Sequence, residues 1–279
     1  MTTTAPLRAR AVPSGHYHFR GALRSEWTKL RSVRSTVWAL TATIVVGIGL
    51  GMLATSSEAS TWRNGGIIEQ ALFDPTSISL TGLLFGQLAI GVLGVLVMSA
   101  EYGTGTIRAT LSAVPRRPVV LGAKVVVFGA VVLLVSEVVS FAAFFIGQAI
   151  LSGSTPTASL GDPTVARAVV SGGLYLTLLG LIAMGLATII RHTAGAISAY
   201  VAIQLILPLV VAAFPLKYGH PVGKFLPAVI GSSMTATTAR GAHMEFLPSF
   251  GPWVGFGLLC VYASAVLLVG GVLMVRRDP

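Results

Sequence analysis

Six long apolar segments, separated by polar ones, dominate the chain. They lie at residues 36–54, 78–100, 119–151, 168–190, 193–214 and 251–275. Each has about the 20 apolar residues that a helix needs to cross a hydrocarbon core of roughly 30 Å. Because backbone groups in lipid must be hydrogen-bonded within the segment, the pattern predicts an all-α polytopic membrane protein. We expect residues 21–279 to form a single six-helix domain.

The longest polar interruption on one predicted side of the membrane is EYGTGTIRATLSAVPRRP, residues 101–118. It predicts a short helix that ends at Pro115 and carries Ile107, Leu111 and Val114 on one face. A short helix between two spans has little core of its own to join. We therefore expect its apolar face to lie on the lipid surface or on a partner protein.

A second amphipathic helix is predicted before the first span, in GALRSEWTKLRSVRS at residues 21–35. Leu23, Trp27 and Leu30 share one face, and Lys29 lies on the opposite one. Such a helix is expected to lie in the headgroup region, with its tryptophan toward the bilayer and its cations toward anionic lipid. The other interpretation is a plain basic flank that orients the first span.

Basic residues predict the orientation of the chain. Most of the 19 lysines and arginines fall on one side if the N-terminus is inside the cell. The excess places both termini and residues 101–118 in the cytoplasm. Residues 1–20 lack apolar periodicity and are expected to be a disordered cytoplasmic tail. On the outer side, residues 215–250 contain a proline-flanked apolar run too short to span, which predicts short interfacial or re-entrant helices.

Composition supports a membrane protein and excludes several other classes. Of 279 residues, 54% are hydrophobic and only 10% are charged, whereas soluble domains carry about 25% charged residues. The net charge of +10 is spread over the ends of apolar segments, so we expect no nucleic-acid partner. The single cysteine excludes an internal disulfide, and no metal-ligand spacing is present.

Several polar or helix-breaking residues lie inside predicted spans. Glu137 is costly at that depth, so it should face other helices or a water-filled cavity. Both a role in a pathway, including proton-sensitive function, and a hydrogen-bonded packing role stay open for it. Gln148 and Gln204 favour helix-to-helix contacts, and Pro208 is expected to kink the fifth span.

No catalytic motif accompanies these features. The chain has no complete G-x-x-x-x-G-K-[ST] loop, no G-x-S-x-G elbow and no suitably placed carboxylate pair. We therefore predict that the protein is not an enzyme and binds no cofactor of its own.

Three stretches resemble a known family. They are SEWTKLRSVRST (Ser25–Thr36), EYGTGTIRATLSAVPRRPVVLGAK (Glu101–Lys124) and VGKFLPAVIGSSMT (Val222–Thr235). With six spans, they resemble the transmembrane permease subunits of bacterial ATP-binding-cassette exporters, the type-2 export permeases, and actinobacterial members in particular. The second stretch is the most specific of the three.

The resemblance implies a role for each of the two short helices. Residues 101–118 would be a coupling helix that docks on a separate cytosolic ATPase, and Glu101 would tie it to the second span. The matching positions are Glu101, Gly105, Thr106, Ile107, Arg108, Leu111, Arg116 and Arg117. The first stretch would be an interfacial elbow helix, with Leu23, Glu26, Trp27, Lys29, Leu30 and Arg31.

The resemblance also implies the assembly. ATP and magnesium would bind the partner ATPase, and a second permease copy, identical or not, would complete a pathway in the bacterial plasma membrane. Drugs or antibiotics are one of several classes of cargo that the resemblance implies. Two alternatives stay open: a stand-alone proton-coupled carrier that uses Glu137, and a non-transporting assembly or sensor protein that recruits a partner through the 101–118 helix.

Overall fold

The computed structural model describes residues 19–62, 66, 70, 73–113, 117–214, 221–238 and 250–276, with the backbone alone at 108, 109, 111 and 113. The predicted tail lies outside these residues up to position 18. The prediction for its last two residues is wrong, because Phe19 and Arg20 already belong to the first helix. A helix can begin there because its exposed first turn is solvated and its next turns pack on the protein.

Ten helices account for most of the described part. They are α1 (Phe19–Ser32), α2 (Arg34–Thr61), α3 (Pro75–Ser79), α4 (Leu83–Gly103), α5 (Thr106–Ala113), α6 (Arg117–Leu151), α7 (Pro163–Ile190), α8 (Thr193–Ala213), α9 (Pro227–Thr235) and α10 (Pro252–Arg276). Six of them (α2, α4, α6, α7, α8 and α10) are long and apolar enough to cross a membrane. No strand occurs in the described ranges. The all-α polytopic class is thus confirmed.

Three helix ends differ from the predicted spans by five residues or more, and one of them is the start of the fourth span, at Pro163 rather than 168. The first span continues past residue 54 to Thr61, through hydroxyl-rich sequence. Hydroxyls there bond back to carbonyls of the same helix, as Thr55 does to Gly51 at 2.7 Å, so polar residues extend the helix. The second span starts at Leu83 rather than 78, because the preceding residues form the separate short helix α3.

The central helix of the bundle is α7, which packs against α4, α6 and α10. In the most apolar 18-residue stretch of α7, 67% of the residues are buried, compared with 17% in the corresponding stretch of α2, which lies at the periphery. Glycines allow the close approach: a Cβ atom on Gly94 of α4 would lie 2.3 Å from the carbonyl oxygen of Gly180 in α7. Most lipid-facing surface therefore belongs to the outer helices, and α7 forms the core.

Pro208 affects α8 one turn before its own position. Ala202–Ile206 is π-helical, as expected where proline removes a backbone N–H and its ring crowds the preceding turn. Gln204 lies in this segment, is buried, and donates to Gln87 Oε1 at 3.1 Å. Tyr175 donates to the same oxygen. The π-helical segment thus directs the Gln204 side chain into a polar network that joins α4, α7 and α8.

At the bundle end away from α5, α9 is buried rather than lying on the surface. Arg167 of α7 donates to the carbonyls of Met234 at 2.8 Å and Ala236 at 2.7 Å, the last acceptors of that helix. Asp74 caps α3 through the amides of Thr76 and Ser77 and also accepts from the Thr237 amide. These contacts fasten the segment after α9 to the start of the second span.

Asp74 makes this end of the bundle sensitive to acid. Burial raises the pKa of the Asp74 carboxyl, but hydrogen bonds from Thr237 and Ser77 outweigh it and hold the pKa below its usual value. A depressed pKa stabilises the fold above the unfolded pKa, and the stabilisation is lost as the pH falls through the folded pKa. Thermal unfolding between about pH 6 and about pH 3 should show a smaller acid loss in Asp74→Asn than in the wild type. Equal losses would contradict this role.

Candidate functional site

Four charged side chains meet at the end of the bundle that carries α5. They are Glu26 and Lys29 of α1, Glu101 at the end of α4, and Lys124 of α6. The Lys124 ammonium lies 2.5 Å from Glu26 Oε2 and 2.8 Å from Glu101 Oε1. Lys29 lies 2.7 Å from Glu26 Oε1 and 2.9 Å from Glu101 Oε1. This charge cluster joins three helices by ion pairs.

The cluster is electrically balanced and mostly buried. The side chain of Lys124 is 3% exposed, that of Glu26 4%, and that of Glu101 11%. Buried charges are tolerated only when paired and hydrogen-bonded, and here two carboxylates face two ammonium groups. Burial lowers the pKa of Lys29, but hydrogen bonds and charge from Glu26 and Glu101 outweigh it, so its pKa lies above the usual value. Lys29 is therefore cationic at neutral pH.

The face of α1 that packs on the bundle carries charge. Glu26, Lys29 and Leu30 lie at i, i+3 and i+4, a spacing that puts them on one side of a helix; Glu26 and Leu30 are buried, and Leu23 is half-buried. Trp27 is 49% exposed. The expectation that the cations of α1 point toward anionic lipid is wrong for Lys29, because Lys29 pairs with Glu26 and Glu101.

The short helix α5 is fixed to this cluster. Gly105 has φ +69°, in the left-handed region that glycine tolerates, and forms the turn from α4 into α5. Lys29 donates to Thr110 Oγ1 at 3.2 Å. Ile107 is only 3% exposed and belongs to the core of the bundle. The prediction that Ile107 faces lipid or a partner is therefore wrong: the helix does have a core to join.

Another residue predicted for coupling, Thr106, is not buried as Ile107 is. Thr106 is exposed at the start of α5 and its hydroxyl lies 2.9 Å from that of Thr104. The side chains of Arg108 and Leu111, and Arg116 as a whole, lie outside what the structure describes. Interfacial Arg31 is exposed.

Two arginines hold the last helix at the same end. Arg117 of α6 donates to the carbonyls of Met274 at 2.7 Å and Val275 at 3.2 Å. Arg191, after α7, donates to Leu273 at 3.0 Å. The terminal carbonyls of a helix lack partners within it and carry partial negative charge, so guanidinium groups stabilise them. Arg117 thus fastens α10 to α6, a contact that sequence reasoning missed.

The polar residues predicted inside spans lie away from the charge cluster. Glu137 is half-buried where α6 meets α7; a Cβ on Gly173 would lie 2.5 Å from its carboxyl carbon. Gln148 bonds the carbonyl of Pro75 at 3.0 Å and accepts from the amide of Ala158 at 2.7 Å. Gln148 thus links α6 to α3 and to the loop after α6.

A cleft of about 370 Å³ adjoins the charge cluster. It lies between α1, the start of α2 and the end of α4, and Thr106 of α5 borders it. In the described ranges no group of histidine, cysteine, aspartate or glutamate residues could hold a metal ion. The site's chemistry is that of ion pairs, hydroxyls and apolar walls.

Comparison with known proteins identifies a family. The family model described as ABC-2 family transporter protein matches residues 22–216. The match includes nearly all of α1 and continues through α8, so it contains the charge cluster and α5. A search of curated proteins found no match.

Proposed function

Because the chain belongs to the ABC-2 transporter family, we propose that it is the membrane-spanning permease of an exporter powered by a separate cytosolic ATPase. The observation that carries this proposal is the attachment of α5. One short helix at the bundle end is tied by Lys29, through Thr110, to the ion pairs that join α1, α4 and α6. A partner bound to α5 would act on three helices at once.

The mechanism follows from the stiffness of that attachment. Ile107 is packed in the core, and Glu101 binds two ammonium groups. When ATP binding and hydrolysis move the ATPase, α5 would move with it, and it cannot slide on the bundle without breaking the hydrogen bond from Lys29 to Thr110 and exposing Ile107. The displacement would then reach α4 and α6 as a rigid movement. ATP and magnesium would bind to the partner chain.

The ATPase would bind the exposed side of this segment. Gly103, Thr104 and Thr106 are exposed at the turn, and Ser112 is exposed on the last turn of α5. Arg108, Leu111 and Arg116 are proposed to complete the contact. A second permease copy would enclose the pathway together with this chain in the bacterial plasma membrane.

A substitution at Ser112 tests the docking surface. Ser112→Arg places a long cation on an exposed position, and we expect co-purification with the ATPase encoded beside this gene to weaken by about tenfold, as for a loss of about 1.4 kcal/mol. Transport-coupled ATP hydrolysis should fall with it. Ser152→Arg, exposed at the other end of the bundle, is the matched control. Wild-type association of the Ser112 variant would argue against docking on α5.

Orientation is part of the proposal and has its own test. In a chain whose Cys260 is replaced by serine, a cysteine at Ser112 should react with an impermeant maleimide only in inside-out vesicles. A cysteine at Ser152 should react only from the outside of whole cells, because Ser112 lies in α5, before the third span α6, and Ser152 directly follows α6. Outside labelling of the first position would reverse the proposed orientation.

A further inference from the structure

We propose that the cleft beside the charge cluster binds one phospholipid with an anionic headgroup. The inference goes beyond the proposed function, since it concerns the permease alone and needs no ATPase. It rests on three properties of the cleft: its walls, its rim and the charges around it.

The walls are apolar and follow the last turns of α4, the second span. They are formed by Leu30, Val33, Leu96, Val97 and Ala100. Along α4, the distance from Leu96 to Thr104 is about 12 Å at the helical rise. Interfacial segments bury their apolar faces about 5–10 Å into the boundary between headgroups and acyl chains. The cleft therefore has the depth to take the first part of an acyl chain.

The rim is polar and open. Hydroxyl groups of Ser32, Ser35, Thr104 and Thr106 border the cleft, and all four residues are exposed. The Ser32 and Thr104 hydroxyls donate to the carbonyls of Lys29 and Ala100, so their oxygens can accept hydrogen bonds from headgroup hydroxyls. A free fatty tail would leave this rim unused, whereas phosphatidylglycerol places its headgroup hydroxyls there.

The surrounding charge is positive. The four charged residues that line the cleft, Glu26, Lys29, Glu101 and Lys124, balance one another. The excess positive charge lies outside the lining, on Arg20, Arg24, Arg31 and Arg34, which are exposed on α1 and at the start of α2. Each basic group near a membrane surface attracts anionic lipid by about 1 kcal/mol. Two of the arginines, Arg31 and Arg34, adjoin the rim residues in sequence. The charges favour an anionic headgroup over a zwitterionic one.

The occupant would connect lipid composition to α5. A lipid in the cleft contacts α1, α2 and α4 together with Thr106. Its acyl chain would fill space that otherwise separates α1 from α4, next to the ion pairs that fix α5. We expect bound lipid to stabilise the arrangement of α1 against the bundle.

The test uses the purified full-length chain in detergent, with phosphatidylglycerol or phosphatidylcholine of identical acyl chains added. The proposal predicts that phosphatidylglycerol raises the thermal unfolding temperature more than phosphatidylcholine does. Val97→Trp fills the cleft and should abolish that difference. Val254→Trp, at a position 61% exposed on α10, is the matched control and should keep it.

A second variant keeps the test decisive if Val97→Trp fails to fold. Arg34→Gln leaves the cleft open but removes one cation, and should weaken the apparent affinity for phosphatidylglycerol about fivefold. Four outcomes would overturn the proposal: equal stabilisation by both lipids, an undiminished difference in Val97→Trp, an unchanged affinity in Arg34→Gln, or equal stabilisation by glycerol phosphate, which has no acyl chain. Stronger stabilisation by dodecyltrimethylammonium would point to a cationic ligand instead.

Discussion

Replacing Lys124 with methionine should be among the most destabilising single changes in this protein. The ammonium group is 3% exposed and lies against Glu26 and Glu101, whose side chains are 4% and 11% exposed. Without it, two buried carboxylates share the one remaining lysine, Lys29. Removing one partner of a buried ion pair typically costs about 3–5 kcal/mol. Thermal unfolding in detergent, together with the yield of folded protein, would measure the loss.

The matched control is Lys29→Met, which removes the other ammonium of the same cluster. Its side chain is 34% exposed, so solvent screens the interaction, and the buried Lys124 still pairs with both carboxylates. We expect a loss of about 1 kcal/mol. Adding Glu26→Gln to Lys124→Met should restore part of the stability, because one uncompensated charge is removed. If the two lysine variants were equally stable, the buried ion pairs would not hold α1 and α4 to α6.

The second large effect is expected for Gly82→Ala, at the start of α4. A Cβ atom there would lie 1.8 Å from the carbonyl oxygen of Gly47 and 2.7 Å from the amide nitrogen of Gly51. Both atoms are backbone of α2, so no side-chain rotation can relieve the clash and the two helices must separate. We expect a loss of about 3 kcal/mol or more, at the upper end of overpacking costs.

Gly49→Ala is the control for that substitution. Gly49 lies on α2 between the two contacted glycines, but a Cβ there would have nothing within 4 Å. Alanine favours a helix over glycine by up to about 1 kcal/mol, so this variant should be as stable as the wild type or slightly more so. A loss in Gly49→Ala comparable to that in Gly82→Ala would show that α2 tolerates no added side chain at all, and the contact with α4 would not explain either result.

Hydropathy was sufficient to predict the main architecture. Each crossing needs a length of apolar sequence, and that requirement can be evaluated locally. The short helix α5 was likewise predicted, from the glycine and proline residues that bound it. The separate helix α3 was not, because it is only five residues long and depends on Asp74, whose second partner, Thr237, is far away in sequence.

The candidate site was predictable only in part. Glu26 and Glu101 were predicted as site residues, and Lys124 ends a stretch that resembles the family. Their pairing, however, joins residues up to 98 positions apart, and no local pattern encodes it. A useful signal was present: Glu26 is the one acid in a basic helix, and Lys124 interrupts an apolar span. Isolated charges of opposite sign at one membrane level are candidates for a pair.

Periodicity groups residues on one face of a helix, but it does not report what that face contacts. For α1, the cations were expected to point toward lipid, whereas Lys29 pairs with Glu26 and Glu101. For α5, an apolar face looked unpartnered because the chain between two spans is short. The space under Ile107 is created by distant helices, and local sequence does not report it.

The spread of the charge cluster along the chain has a consequence for biogenesis. Glu26 is synthesised first, Glu101 next and Lys124 last, at the start of the third span. Until α6 has been inserted, α1 has no buried ammonium to neutralise its carboxylate, so α1 would stay at the membrane surface. Chains stopped after α4 should therefore leave Glu26 accessible and α1 open to proteolysis, and closure of this end of the bundle would mark the insertion of α6.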